Sequence, residues 1–264
     1  MLSATDLESE PLQFQIVETA QLGLESHEEK PLFSLIIPIY NEADIITESL
    51  NILQRFFEKC DCELVFFDDC SRDGTYDKLR NASASSKDPK IRLIRSGARI
   101  GKGGAIKNAI TKAKGEVVLI MDADLSADLR SVPELVREAR ESGGLVVGER
   151  STSDRSTQGF LRVMLSLFYN ILVRTLFGTG VRDHQCGFKA MKTDVARRLM
   201  AGIRNDGFIF DTELVVLARR LRMPVKRVPV KWADNRPRRA HLKWVRTSFT
   251  MMKDLFMLKA SGPL

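Results

Sequence analysis

The chain has 264 residues, 44% of them apolar and 28% charged, which suits a folded domain of one sheet with its helices and excludes a disordered chain. No apolar run reaches the length of an uninterrupted membrane-spanning helix, and the N-terminus lacks the basic-then-apolar pattern of a secretory signal. The net charge of +7 is unevenly placed: residues 1–30 carry −6, whereas residues 219–259 carry +11, thirteen bases against Asp234 and Asp254. A basic end of that density calls for an anionic partner, whether nucleic acid, a phosphorylated ligand or an acidic membrane surface.

Residues 1–30 are polar, acidic and aperiodic and read as a flexible tail. From 33 to 38 the chain is almost continuously apolar, as in a strand buried on both faces. Apolar positions at Ile45, Ile46, Leu50, Leu53, Phe56 and Phe57 then fall at helical spacing. The alternation continues with strands at 63–67, 91–94, 117–121 and 145–148 and helices from Thr75, over 105–113 and over 132–140. Such a pattern predicts an α/β fold with a mainly parallel sheet flanked by helices, its strand C-termini on one ligand-binding edge. Beyond it, 160–177 is a greasy helix whose Arg162, Ser166, Asn170 and Arg174 form one polar line. That pattern suits either a buried helix with a wet stripe or a helix lying at a membrane interface. A helix over 208–220, a strand over 225–231 and a basic amphipathic helix over 241–259 complete the chain. The last puts Leu242, Val245, Phe249, Met252 and Phe256 on one face and suits an anionic bilayer surface. The expected division is therefore a tail at 1–30, a domain at 31–232 that includes the helix at 159–177, and a basic membrane-associating segment at 233–264. Cys60, Cys62, Cys70 and Cys186 have no zinc-like spacing and imply a reducing compartment, with Cys62 and Cys186 as packed thiols.

Four stretches at predicted strand ends carry chemistry. Pro38-Ile39-Tyr40-Asn41-Glu42 closes the first strand with a turn. In 68–75, Asp68, Asp69 and Asp73 lie within six residues; one of Asp73 and Thr75 caps the next helix, while Asp68 and Asp69 are expected to project into the ligand crevice, where a carboxylate can accept from a nucleobase N–H or a ribose hydroxyl. Gly97 to Gly104 is a glycine-rich loop whose N–H groups could approach a phosphate, with Arg99 and Lys102 as charge partners. It fails as a P-loop, being one residue short and carrying Gly103 where Ser or Thr is needed. Asp122-Ala123-Asp124 follows an apolar strand; on an extended segment the two carboxylates would point the same way and could share a divalent ion with substrate phosphates.

In this order the four stretches resemble family 2 of the glycosyltransferases, which have the GT-A (nucleotide-diphospho-sugar transferase) fold. Residues 182–189, 210–214 and 228–232 resemble its polyprenyl-phosphate branch, most closely the dolichyl-phosphate β-glucosyltransferases. The resemblance implies an inverting transfer of a hexose, UDP-glucose being the favoured donor, to the phosphate of a polyprenyl (dolichyl) phosphate. It implies that Pro38, Tyr40, Glu42 and Asp69 hold the nucleoside, that Ala123 lies against the donor, and that Asp122 and Asp124 hold Mg²⁺ or Mn²⁺ on the diphosphate. Ser126 stands where the mannosyl branch has a ligating Gln. Arg150, Arg162, Ser166 and Arg236 are implied at the acceptor phosphate, Lys102 at the diphosphate, and Asp211 and Glu213 as orienting carboxylates near the sugar, with cap and salt-bridge roles as alternatives. The implied location is peripheral, on the cytoplasmic face of a membrane.

GDP-mannose and UDP-N-acetylglucosamine are alternative donors. A polysaccharide-building member of the family would carry a Gln-x-x-Arg-Trp element, which is absent. A nucleotidyltransferase of related fold would instead release pyrophosphate. Nucleic acid is not expected as a partner, because the basic end lacks interleaved aromatic residues and known binding motifs.

Overall fold

A computed structural model describes residues 30–86, 90–150, 160–233 and 241–260; all but the last residue of the expected tail lies outside them. Seven strands are described: β1 (Phe33–Ile39), β2 (Cys62–Asp68), β3 (Ile91–Arg95), β4 (Val117–Ile120), β5 (Leu145–Arg150), β6 (Lys189–Lys192) and β7 (Val225–Val230). They form one sheet in the order β3-β2-β1-β4-β6-β5-β7. The helices are α1 (Ile46–Phe56), α2 (Thr75–Ser86), α3 (Gly101–Lys112), α4 (Val132–Ser142), α5 (Phe160–Phe177), α6 (Thr193–Gly202), α7 (Phe210–Arg220) and α8 (His241–Ala260).

The continuous apolar runs are explained by two cores, one on each face of the sheet. Phe33, Leu35, Ile37 and Ile39 of β1 face a core completed by Leu50 and Leu53 of α1 and Leu135 of α4. The alternate residue Ile36 joins Val65 and Val118 under Ala105, Ile106 and Ala109 of α3 and Phe210 and Leu214 of α7. Side chains alternate across a strand, so a strand covered on both faces must be apolar at every step. α3 begins four residues before the expected helix, because its glycines are helical rather than part of a loop.

The unforeseen element is β6. It reads Lys-Ala-Met-Lys, too short and too charged to announce a strand. It pairs antiparallel with both β4 and β5, placing Lys189 beside Ile120. β6 thus starts at the edge where the parallel strands end, and the segment leading into it, residues 182–188, lies on that edge beside Asp122.

At the opposite edge a polar knot fastens the sheet. Ser34 Oγ donates to Glu63 Oε1 at 2.5 Å and accepts from Gly115 N at 2.8 Å, while Arg92 pairs with Glu63 Oε2 at 3.0 Å. Ser34 is fully buried, so its loss strands the Gly115 N–H and leaves Glu63 Oε1 with Lys114 N as its donor. A Ser34→Ala variant should be less stable by about 2 kcal/mol, read as a lower midpoint with unchanged slope in urea unfolding.

Candidate active site

The turn after β1 and the turn after β2 are tied together. Ser71 Oγ accepts from Asn41 N and Thr75 Oγ1 from Glu42 N, both at 2.9 Å, and Asn41 Oδ1 accepts from Arg72 N at 2.9 Å. Asn41 takes φ +54, a left-handed conformation that asparagine tolerates. Tyr40 is half-buried, with the Arg99 guanidinium carbon 4.0 Å from its ring centroid. Asp73 accepts from Thr75 N at 3.0 Å and from Ala43 N at 3.1 Å, which is the structural use of that third carboxylate.

Asp68 and Asp69 do not both point into the crevice. Asp68 is fully buried and bound by Arg95 Nε at 3.2 Å and Ser71 N at 3.3 Å. Asp69 accepts from Ile100 N at 2.7 Å and Gly101 N at 2.9 Å, so it caps α3. Beyond Lys102, the N–H groups of Gly103 and Gly104 are taken by Asp206 O at 2.8 and 3.2 Å. The helix start expected to cradle a phosphate therefore has protein acceptors. Its glycines serve a close approach instead: a Cβ on Gly101 would overlap Asp206 O, and one on Gly103 would lie 2.7 Å from Asn205 O.

The Asp122-Ala123-Asp124 segment is a turn, not the extended run expected. It closes on Leu125 at φ +48, a conformation that costs a side-chain-bearing residue about 1–2 kcal/mol. Ser49 Oγ holds Ala123 O at 2.7 Å and Asp124 Oδ1 accepts from Ser126 N at 3.1 Å. Ala123 is buried, and both aspartates are half-buried.

Around Asp122 runs a chain of alternating charge. Lys102 Nζ lies 2.8 Å from Asp122 Oδ1 and 2.9 Å from Asp211 Oδ2, and Asp211 Oδ1 lies 2.6 Å from Lys189 Nζ. Lys189 is fully buried and also donates to the carbonyls of His184 and Cys186. Burial opposes the charge on Lys102, but Asp122 and Asp211 outweigh it and hold the ammonium above the usual lysine value. Glu213 sits apart, accepting from Arg204 N and Asn205 N at 2.9 Å each, and so holds the loop before α7.

Arg150, at the end of β5, makes a two-pronged ion pair with buried Asp183 through Nε and, at 2.8 Å, Nη2. Its guanidinium carbon lies 5.0 Å from the Trp232 ring centroid. Burial works against its charge, yet the Asp183 pairing raises its affinity for the proton further. Ser166 lies nearly two turns into α5, half-buried. The side chain of Arg162, and Arg236 altogether, fall outside the described residues.

Asn170 turns inward from the polar line of α5. Its Oδ1 accepts from His184 N at 2.9 Å and from His184 Nδ1 at 2.8 Å, and Thr179 Oγ1 lies 2.6 Å from His184 Nε2. The outer face of α5 is apolar: Phe168 is 57% and Ile171 52% exposed, with Met164, Leu165 and Leu167 also exposed. α8 packs on α5 through Met251 and Leu255 against Tyr169 and Val173, while Phe256 and Met257 stand exposed. Among the described residues no helix is long and apolar enough to cross a membrane.

The sequence pointed to Lys102, Asp122 and Asp211 separately, and the structure joins them. The stretch 182–189 carries the resemblance but assigns no role to Lys189, Asp183, His184 or Gly187. Their signal was a charged or polar residue on each side of the small apolar run Cys186-Gly187-Phe188. A Cβ on Gly187 would overlap Asp122 Oδ2, so any larger residue there would displace that carboxylate. Cys62 and Cys186 are buried, as expected, and burial pushes the Cys186 thiol up to about 12.

Residues 34–200 match the family described as Glycosyl transferase family 2. The chain is 31% identical over 216 residues to a dolichyl-phosphate beta-glucosyltransferase of Dictyostelium discoideum, covering 76% of this chain and 66% of that one; it thus spans just under two thirds of the relative's length. Among solved structures it resembles the mannosyltransferase PcManGT from Pyrobaculum calidifontis in complex with GDP-Man and Mn²⁺, with TM-score 0.57 and 22% identity over 89% of this chain and 67% of that one. It also resembles glucosyl-3-phosphoglycerate synthase from Mycobacterium tuberculosis in complex with Mn²⁺, UDP-glucose and glycerol 3-phosphate, with TM-score 0.62 and 19% identity over 92% and 83%. These likenesses establish the expected GT-A-like fold.

His184 gives a pH signature. Burial, helped by Lys189, pushes it down to about 4, so it stays neutral in the fold while the unfolded chain takes up a proton below about 6.5. Stability is therefore lost as pH falls from 6.5 toward 4. Between pH 7 and 4.5 the protein should lose about 2–3 kcal/mol more than a His184→Asn variant, measured by denaturant unfolding at each pH.

Proposed function

This chain belongs to glycosyl transferase family 2, and on that footing we propose that it transfers glucose from UDP-glucose, with inversion, to the phosphate of a polyprenyl (dolichyl) phosphate, working from the cytoplasmic face of a membrane to which it binds peripherally. One observation carries the reading: Asp122, Lys102, Asp211 and Arg150 gather at one sheet edge, on a domain whose α5 exposes an apolar face. The 31% identity to a protein named as a dolichyl-phosphate glucosyltransferase supports the choice of acceptor.

The acceptor supplies its own nucleophile. A phosphate monoester has a second pKa of about 6, so it is largely dianionic at neutral pH and needs no strong base. Its oxygen attacks the sugar C1 opposite the diphosphate. The protein must overcome the repulsion between two anionic substrates, a task for Arg150, Lys102 and Arg162. Asp183 fixes the guanidinium plane of Arg150 and Trp232 flanks it. Pro38, Tyr40, Glu42 and Asp69 border the place for the nucleoside, and Asp211, tethered by Lys189, orients the sugar.

Asp122 and Asp124 fit Mg²⁺ or Mn²⁺. Both offer hard oxygen donors, and Asp122 already accepts a cation, the Lys102 ammonium. Held there, the ion would neutralise charge on the departing diphosphate.

The basic segment 233–264 and the exposed side chains of α5 and α8 form the membrane-facing part. Apolar side chains entering the lipid boundary and bases meeting anionic headgroups reinforce one another.

Radiolabelled UDP-glucose with dolichyl phosphate and Mn²⁺ should yield a product extractable into organic solvent. Chelator should abolish it, and Asp124→Ala should lower it by about a hundredfold or more; transfer undiminished by both would refute the reading. Gly187→Ala should cut turnover at least about tenfold while the fold persists, because the added methyl displaces Asp122. Replacing Phe168 and Ile171 by Asp should sharply reduce flotation with anionic liposomes without changing the urea midpoint, both side chains being already exposed.

A further inference from the structure

The two lysines of the charge chain differ in how firmly they are held. Lys189 is fully buried and tied by Asp211 and two backbone carbonyls. Lys102 has 15% of its side chain exposed, at the end of a flexible stem, and bridges Asp122 and Asp211. If Lys102 departs, Asp211 retains Lys189 as its counter-charge, whereas Asp122 loses the ammonium. The movable cation is thus the one resting on Asp122.

An ammonium 2.8 Å from a carboxylate oxygen and a divalent ion on the same carboxylate repel strongly. The nucleotide's diphosphate offers the ammonium another anion within reach of a flexible side chain. We propose that Lys102 is an exchangeable counter-cation: it occupies Asp122 until a nucleoside diphosphate draws it away, so that a divalent ion alone binds weakly and ion and diphosphate tighten each other's binding. This rests on the assignment of Asp122 to the metal, and deepens it by giving Lys102 a part in the order of assembly. Such coupling is reciprocal. It spares the empty site the repulsion of adjacent carboxylates, which an unfilled metal site otherwise bears.

A role confined to contacting phosphate makes the opposite forecast, since removing Lys102 would then leave binding of the ion alone unchanged. The test is Mn²⁺ titration followed by electron paramagnetic resonance, with and without UDP, on the full chain and on Lys102→Met, Lys102→Arg and Asp122→Asn variants. Lys102→Met keeps the length of the stem and removes the charge. It should bind Mn²⁺ alone about tenfold or more tighter than the wild type, and the tightening produced by UDP should shrink. Lys102→Arg, which keeps a cation there, should bind Mn²⁺ alone as weakly as the wild type, showing that charge rather than disturbed packing is responsible. Asp122→Asn should lose the site. Equal Mn²⁺ affinity in the wild type and Lys102→Met would overturn the exchange while leaving the metal assignment standing. Absence of Mn²⁺ binding to every form, even with UDP, would overturn both.

Discussion

An ammonium sealed inside a protein has to be answered by acceptors on every side, and Lys189 meets that demand with Asp211 and the carbonyls of His184 and Cys186. Satisfying this one group fixes three things together: the path of the loop into β6, the position of Asp211 at the start of α7, and the charge available to Lys102. A neutral residue at 189 would leave Asp211 with Lys102 as its remaining counter-ion among the described residues, and Lys102 would no longer be divisible between two carboxylates. The buried lysine thus acts as a fixed reference charge against which the exposed one is balanced.

The short antiparallel strand makes this geometry possible. A parallel strand between β4 and β5 would begin at the far edge, and its leading loop could not reach Asp122. Because β6 runs the other way, Asp183, Gly187 and Lys189 arrive beside the ends of β4 and β5. Asp183 meets Arg150, Gly187 passes Asp122, and Lys189 meets Asp211. The same loop is pinned from the other side by Asn170 of α5 through His184. The helix that exposes an apolar face is therefore connected by hydrogen bonds to the segment carrying the partner of Arg150, joining the proposed lipid-facing surface to the proposed acceptor site.

Several expectations failed for reasons of geometry. The glycine-rich stretch suggested a phosphate cradle, but its helical N–H groups are claimed by Asp69 and Asp206; glycine there permits backbone to pass close by. Asp122 and Asp124 were placed on an extended run, whereas the chain turns, closing on the left-handed Leu125. Asp68 is an internal ion-pair partner rather than a crevice carboxylate. In each case the residue types carried a real signal, and two physical uses of the same residue type competed for it.

The sequence alone determined the alternation of buried strands and helices through β5, because unbroken apolar runs and helical spacing are local properties that burial on two faces imposes. It also marked the strand ends where Tyr40, Asp69 and Asp122 lie, since polar residues interrupt those runs there. Tertiary structure alone decided which charges meet. Lys102 and Asp211 are 109 positions apart, and Arg150 and Asp183 are 33 apart. No local periodicity records such pairings, for they are set by strand order and by the reversed direction of β6, and a buried charge finds its counter-ion only once the chain has closed around it.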